Sequence, residues 1–90
     1  MRISVNNLVN YYKSMIKRID NNAILTFYTY KKDRGFSVKK DNGKLLISEF
    51  GFKNQNLCVE EKDSVKIIKG ITKLEFPRSH EIFVSTHNEN

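Results

Sequence analysis

Residues 24–50 read ILTFYTYKKDRGFSVKKDNGKLLISEF, a tract rich in β-branched and aromatic residues that is broken twice by turn formers. Such residues fit a pleated, half-buried surface, so Ile24–Lys32, Phe36–Lys40 and Lys44–Phe50 are predicted strands. Asp33-Arg34-Gly35 separates the first two. Asp41-Asn42-Gly43 separates the second pair, and its Asn-Gly step tolerates the positive φ that a two-residue hairpin demands. Period-two alternation sends Leu25 and Phe27 to one face of the first strand and Ile24, Thr26, Tyr28 and Tyr30 to the other.

Upstream the period changes. Val5, Leu8, Val9, Tyr12, Met15, Ile16 and Ile19 follow the 3, 4 spacing of one helical face, with Asn6, Asn10, Lys13, Lys17 and Arg18 opposite. Ser4 is the expected N-cap, and the poor helix formers Asp20-Asn21-Asn22 end the pattern. Downstream, Leu57–Glu60 reads as a strand. Val65–Ile68 is read as a strand in preference to a short helix capped by Asp63 or Ser64 and carrying Val65, Ile68 and Ile71. Ile71–Phe76 and Glu81–Thr86 bracket Pro77-Arg78-Ser79 as a final hairpin, and residues 87–90 are expected to fray.

These elements predict an α+β fold in which one N-terminal amphipathic helix packs on a four- to six-stranded antiparallel sheet built mainly of hairpins. A chain of 90 residues has room for one core, so residues 1–90 form a single small domain. One helix covers little more than half of such a sheet. The second face must curl on itself, pair as a homodimer, or serve binding.

The chain carries 16 Lys and Arg against 10 Asp and Glu, a formal charge of +6, which favours a polyanionic or acidic partner. That excess is uneven: residues 1–44 hold ten basic and three acidic side chains, and residues 45–90 hold six and seven. No run approaches the roughly 20 apolar residues that cross a bilayer, and MRISVNNLVNYYK lacks the apolar core of a signal peptide. A cytoplasmic protein without membrane attachment is expected. Cys58 is the only cysteine and excludes an internal disulfide; within Leu57-Cys58-Val59 it reads as a small buried hydrophobe. Heavy use of Lys, Asn and Ile points to an AT-rich coding sequence of low-GC bacterial, phage or viral origin.

Phosphate-binding loops, dinucleotide fingerprints, paired CxxC and HExxH are absent from the sequence. His80 and His87, seven residues apart on one strand, face opposite sides and do not share a metal. Arg78, His80 and Glu81 supply the residue types of a metal-independent ribonuclease, but a turn after Pro77 ordinarily exposes such residues, and adjacency separates Glu81 from His80. No enzyme activity, cofactor or metal is therefore expected.

Topology gathers the basic residues instead. With the helix running one way and the first strand returning, Lys17, Arg18, Lys39, Lys40 and Lys44 collect beside the helix C-terminus, with Lys31, Lys32 and Arg34 at the other end. Tyr28 and Tyr30 stand between, where their rings are placed to stack on unpaired bases. The expectation is a small basic non-enzymatic nucleic-acid-binding protein. Its alternative is a protein-binding inhibitor or regulator of phage or mobile-element type, which blocks a macromolecular partner by docking on an acidic or nucleic-acid-binding protein surface.

Overall fold

A computed structural model describes residues 1–88. Chain order is β1 (Arg2–Ser4), a single 3-10 turn (Val5–Asn7), α1 (Leu8–Ile16), β2 (Ala23–Tyr28), β3 (Gly35–Asp41), β4 (Lys44–Phe50), β5 (Gln55–Glu60), α2 (Glu61–Glu75) and β6 (Glu81–Asn88). The strands form one antiparallel sheet in the order β1-β6-β2-β3-β4-β5, so β2 to β5 are a meander and β6 returns to insert between β1 and β2. The fold is α+β, with an N-terminal helix on a six-stranded antiparallel sheet. No helix among the described residues is long and apolar enough to cross a membrane.

Local chemistry accounts for the meander. Asn42 and Gly43 take φ of 49° and 87°, and two successive positive values make the tight turn whose twist matches its strands. Gly35, where β3 begins, has a different reason to be glycine. A Cβ there would lie 2.1 Å from the Phe27 carbonyl oxygen and 2.9 Å from the Phe50 ring, so only a bare α-carbon admits both.

Several elements depart from the sequence reading. The first helical pattern is shorter: Ser4 accepts from the Asn6 amide and caps the 3-10 turn, and α1 proper spans nine residues. Ahead of it lies the unforeseen short strand β1. The strand from Ile24 stops at Tyr28 rather than Lys32. Residues 65–68 and 71–75, read as strand, belong instead to α2, with Phe76 as its C-cap, and the core-facing positions Ser64, Ile68, Ile71 and Glu75 recur at helical spacing. The final hairpin is therefore a helix-to-strand connection. His87 and Asn88, expected to fray, pair with Ile24 and Ala23, while residues 89 and 90 lie outside the described residues.

Both helices occupy the same side of the sheet. Leu8, Tyr12 and Ile16 from α1 and Ile68 and Ile71 from α2 pack with Leu25, Phe27, Phe36, Val38, Leu45, Ile47, Ile82 and Val84 in one continuous core. The helices are joined inside it: Tyr12 Oη donates to Ser64 Oγ at 2.8 Å, and Ser64 donates on to the Glu61 carbonyl at 2.7 Å. Burial raises the Tyr12 phenol above its ordinary pKa.

The far end of α2 is anchored by Glu75, which is 1% exposed. Its carboxylate accepts from Arg34 Nε at 3.1 Å and from the backbone N–H groups of Phe52 and Lys53 at 2.9 and 3.1 Å. Arg34 also donates to the Leu74 carbonyl at 2.8 Å. One residue thus ties α2 to the β2–β3 and β4–β5 turns. Glu49, buried beside it, receives Gln55 Nε2 at 2.6 Å, and its Oε2 meets no partner among the described residues unless the carboxyl keeps its proton.

Burial, then the adjacent Glu75, holds Glu49 above the usual carboxylate range. Burial also opposes charge on Glu75, but hydrogen bonds from Glu49, Phe52, Lys53 and Arg34 outweigh it and bring its pKa below that range. The signs differ. Glu75 contributes stability above its unfolded pKa and loses it as pH falls through the lowered folded value. Glu49 contributes below its unfolded pKa and loses as pH rises through the raised folded value. The Glu49→Gln variant keeps a neutral donor, so its thermal stability should match wild type in acid and exceed it at the alkaline end of a melting series. Wild-type stability that rises with pH in parallel with the variant would contradict this proton-sharing pair.

Candidate functional site

Among the described residues no element covers the face of the sheet away from the helices. Strand register arranges its side chains in rows. One row crosses Arg2, Phe83, Tyr28, Gly35 and Phe50. The next holds Ser85, Thr26, Ser37, Ser48 and Asn56, and the third His87, Ile24, Lys39, Leu46 and Cys58. Four residues along β2, from Ile24 to Tyr28, separate the outer rows by about 13 Å.

The aromatic row is ordered by ring contacts. Tyr28 and Phe83 are nearly parallel, with an interplanar angle of 16° and centroids 5.8 Å apart, and Tyr30 leans on Phe83 at 5.9 Å. Tyr30 is 83% exposed. Lys32, held in the β2–β3 turn at φ 62°, places its ammonium 5.9 Å from the Tyr28 ring centroid. A hydrogen bond of 2.8 Å from Thr29 Oγ1 to Asp33 braces this turn. Thr26, Tyr28, Lys32, Phe50 and Ser85 together line a concavity of about 280 Å³. Its walls are aromatic, its floor carries hydroxyl groups, and a cation stands at its rim.

The predicted cations separate by strand parity. Phe36 and Val38 point to the core, so Lys40 follows them to the helix side, where Nζ donates to the carbonyls of Ile16 and Ile19 at 3.1 and 3.3 Å. It satisfies the last carbonyl of α1 and that of Ile19 just beyond, where a cation also suits the helix dipole. Lys39 faces the open side instead. Lys44 is exposed on that side, but its strand partners are Asp41 and Glu60, which offset its charge. Lys17 and Arg18 are exposed at the end of α1, and Lys17 lines a concavity with Lys13, Ile16, Glu61, Lys62 and Val65 between the two helices.

The hairpin does lie beside the helix C-terminus: the Asn22 amide donates to the Lys40 carbonyl at 2.7 Å, and the Asn42 amide to Asn21 Oδ1 at 3.3 Å. The four lysines and Arg18 nevertheless do not form one patch, because the sheet passes between them. At the other end Arg34 is committed to Glu75, while Lys31 and Lys32 are exposed. Phe50 and Phe83, whose side chains sequence reading passed over, join the open-face site, as does Lys32 of the second basic group. Alternation against the inward Ile82 and Val84 was the available signal for Phe83.

Cys58 also departs from expectation. It is exposed, because β5 is an edge strand whose outward residues meet no further element. His80 is exposed in the turn before β6, and its carbonyl accepts from the Val5 amide at 2.9 Å. Among the described residues no three His, Cys, Asp or Glu side chains cluster as metal ligands. Compared with protein-family models, curated proteins and solved structures, the chain matches none.

The parity argument has a measurable consequence. Replacing Lys40 with Ala should cost about 1–2 kcal/mol, because two buried-end carbonyls lose their donor. That corresponds to a fall of roughly 5–15 °C in Tm for a domain of this size. Lys44→Ala should change stability by less than about 0.5 kcal/mol. Equal melting temperatures for the two variants would show that the Lys40 contacts contribute nothing.

Proposed function

We propose that this protein binds single-stranded nucleic acid on the open face of its sheet, by contact and without turnover. The observation that carries the reading is the aromatic row Phe83, Tyr28 and Phe50 on an uncovered sheet face, accompanied by Arg2, Lys32 and Lys39. Unpaired bases present flat faces that stack on such rings, at about 1–3 kcal/mol per base, and every base can do so. A duplex hides those faces. The preference for single strands follows from the chemistry of the row.

Electrostatics supports the same placement. Arg2 and Lys32 accompany the aromatic row and Lys39 the row beyond the hydroxyls, whereas the acids Asp41, Glu60 and Glu81 stand at strand ends. A backbone crossing the middle of the face meets positive charge while its bases lie over the rings. The concavity bounded by Tyr28 and Phe50 takes one base edge, with the Thr26 and Ser85 hydroxyls able to donate or accept below it. Hydroxyls that serve either role favour tolerance of sequence over strict base selection.

Fluorescence anisotropy with labelled single-stranded and duplex oligonucleotides, at roughly 50 and 200 mM salt, tests this directly. Single strands should bind more tightly than duplex, with affinity falling as salt rises. Tyr28→Ala and Phe83→Ala should each weaken single-strand binding by roughly 5- to 150-fold while circular dichroism stays native. Absence of binding at the lower salt, or binding that ignores both aromatic substitutions, would overturn the proposal.

A further inference from the structure

Strand β5 pairs with β4 on one side only, so its other side offers unpaired backbone N–H and C=O groups along Gln55–Glu60. Sheet edges are ordinarily guarded against pairing by shortness, charge, proline or bulges. The opposite edge is guarded: β1 has three residues, includes Arg2, and runs directly into the 3-10 turn. The β5 edge is not. From Gln55 to Val59 it contains no charge, proline or glycine.

Apolar surface accompanies that edge. Leu57 and Val59 pack on the rim of the core and remain half-exposed, while Cys58 is exposed on the other face beside Leu46, itself 37% exposed. We infer that β5 pairs antiparallel with β5 of a second copy, about a two-fold axis perpendicular to the sheet, so that two sheets continue into one. The occupant is identified by charge. Lys53 precedes the strand, Glu60 ends it and Glu61 follows, so reversing one copy brings each Lys53 to the acidic end of the other.

Side-chain parity narrows the register. Both copies keep their helices on the same side only if paired residues share a face, which places either Leu57 opposite Leu57 or Cys58 opposite Cys58. The first choice sets Leu57 against Leu57 of the other copy, and the second sets Leu57 against Val59. Pairing also uses up the unguarded edge. The assembly then closes at two copies, because the two outer edges are both β1.

Sedimentation equilibrium of the purified chain tests the interface. Wild type should sediment at twice the 10.6 kDa chain mass. Asn56→Lys and Cys58→Lys, combined with Glu60→Gln so that the lysine introduced at position 56 meets no acid when Cys58 faces Cys58, place like charges across the axis in either register, on exposed positions outside the core. This variant should sediment as a monomer with a native circular dichroism spectrum. The corresponding Asn56→Glu and Cys58→Glu variant should behave likewise. Mixing the two variants in equal amounts should restore the doubled mass, a rescue that unfolded chains would not show. A wild type that stays monomeric up to its solubility limit, a Lys variant that remains dimeric, or a mixture that stays monomeric would overturn the inference.

Discussion

Everything in this molecule follows from both helices packing against the same face of one sheet. The sheet's inward residues, Leu25, Phe27, Phe36, Val38, Leu45, Ile47, Ile82 and Val84, are covered by α1 and α2, and burial of that surface supplies the main driving force for folding. Among the described residues no element remains to cover the other side. A bare antiparallel face is stable in water when its side chains are mixed polar and apolar, and this one carries a hydroxyl row between an aromatic row and a row centred on Lys39. The one-sided core thus leaves this face open.

Keeping α2 in place requires polar groups inside that core. The Tyr12–Ser64 bond joins the two helices, and Glu75 holds the C-terminal end of α2 to the turns around Arg34 and Phe52. An ion pair in such a site contributes little net energy over an apolar isostere, but its geometry specifies which turn meets which helix end. Basic residues are divided between these tasks. Lys40 and Arg34 serve the fold, whereas Lys32 and Lys39 accompany the open face, so net charge alone overstates what is offered to a partner.

How much of this was legible depends on how regular each segment is. The tract from Ile24 to Phe50 alternates cleanly, and apart from the first strand ending at Tyr28 instead of Lys32, its strands, its Asn-Gly turn and its inward and outward sets appear where period two places them. The stripe of α2 was hidden because two of its four core-facing positions, Ser64 and Glu75, are polar, and their partners Tyr12 and Arg34 lie 52 and 41 residues away. Hydrophobic periodicity cannot register a polar residue whose burial is compensated from so far along the chain. Similarly, Leu57-Cys58-Val59 looks like core in a central strand, and only sheet order reveals that β5 lies at an edge. Parity would have divided Lys39 from Lys40, since the residues before them alternate strictly.

The most direct measurement of the central claim is a map of backbone amide chemical shifts while a short single-stranded oligonucleotide is added. Shifts confined to Thr26, Tyr28, Ser37, Lys39, Phe83 and Ser85, with Ser14, Lys66 and Lys69 on the exposed helix surfaces unmoved, are the predicted result. Shifts concentrated on α1 and α2, or none at all, would contradict the assignment of the open sheet face as the binding surface.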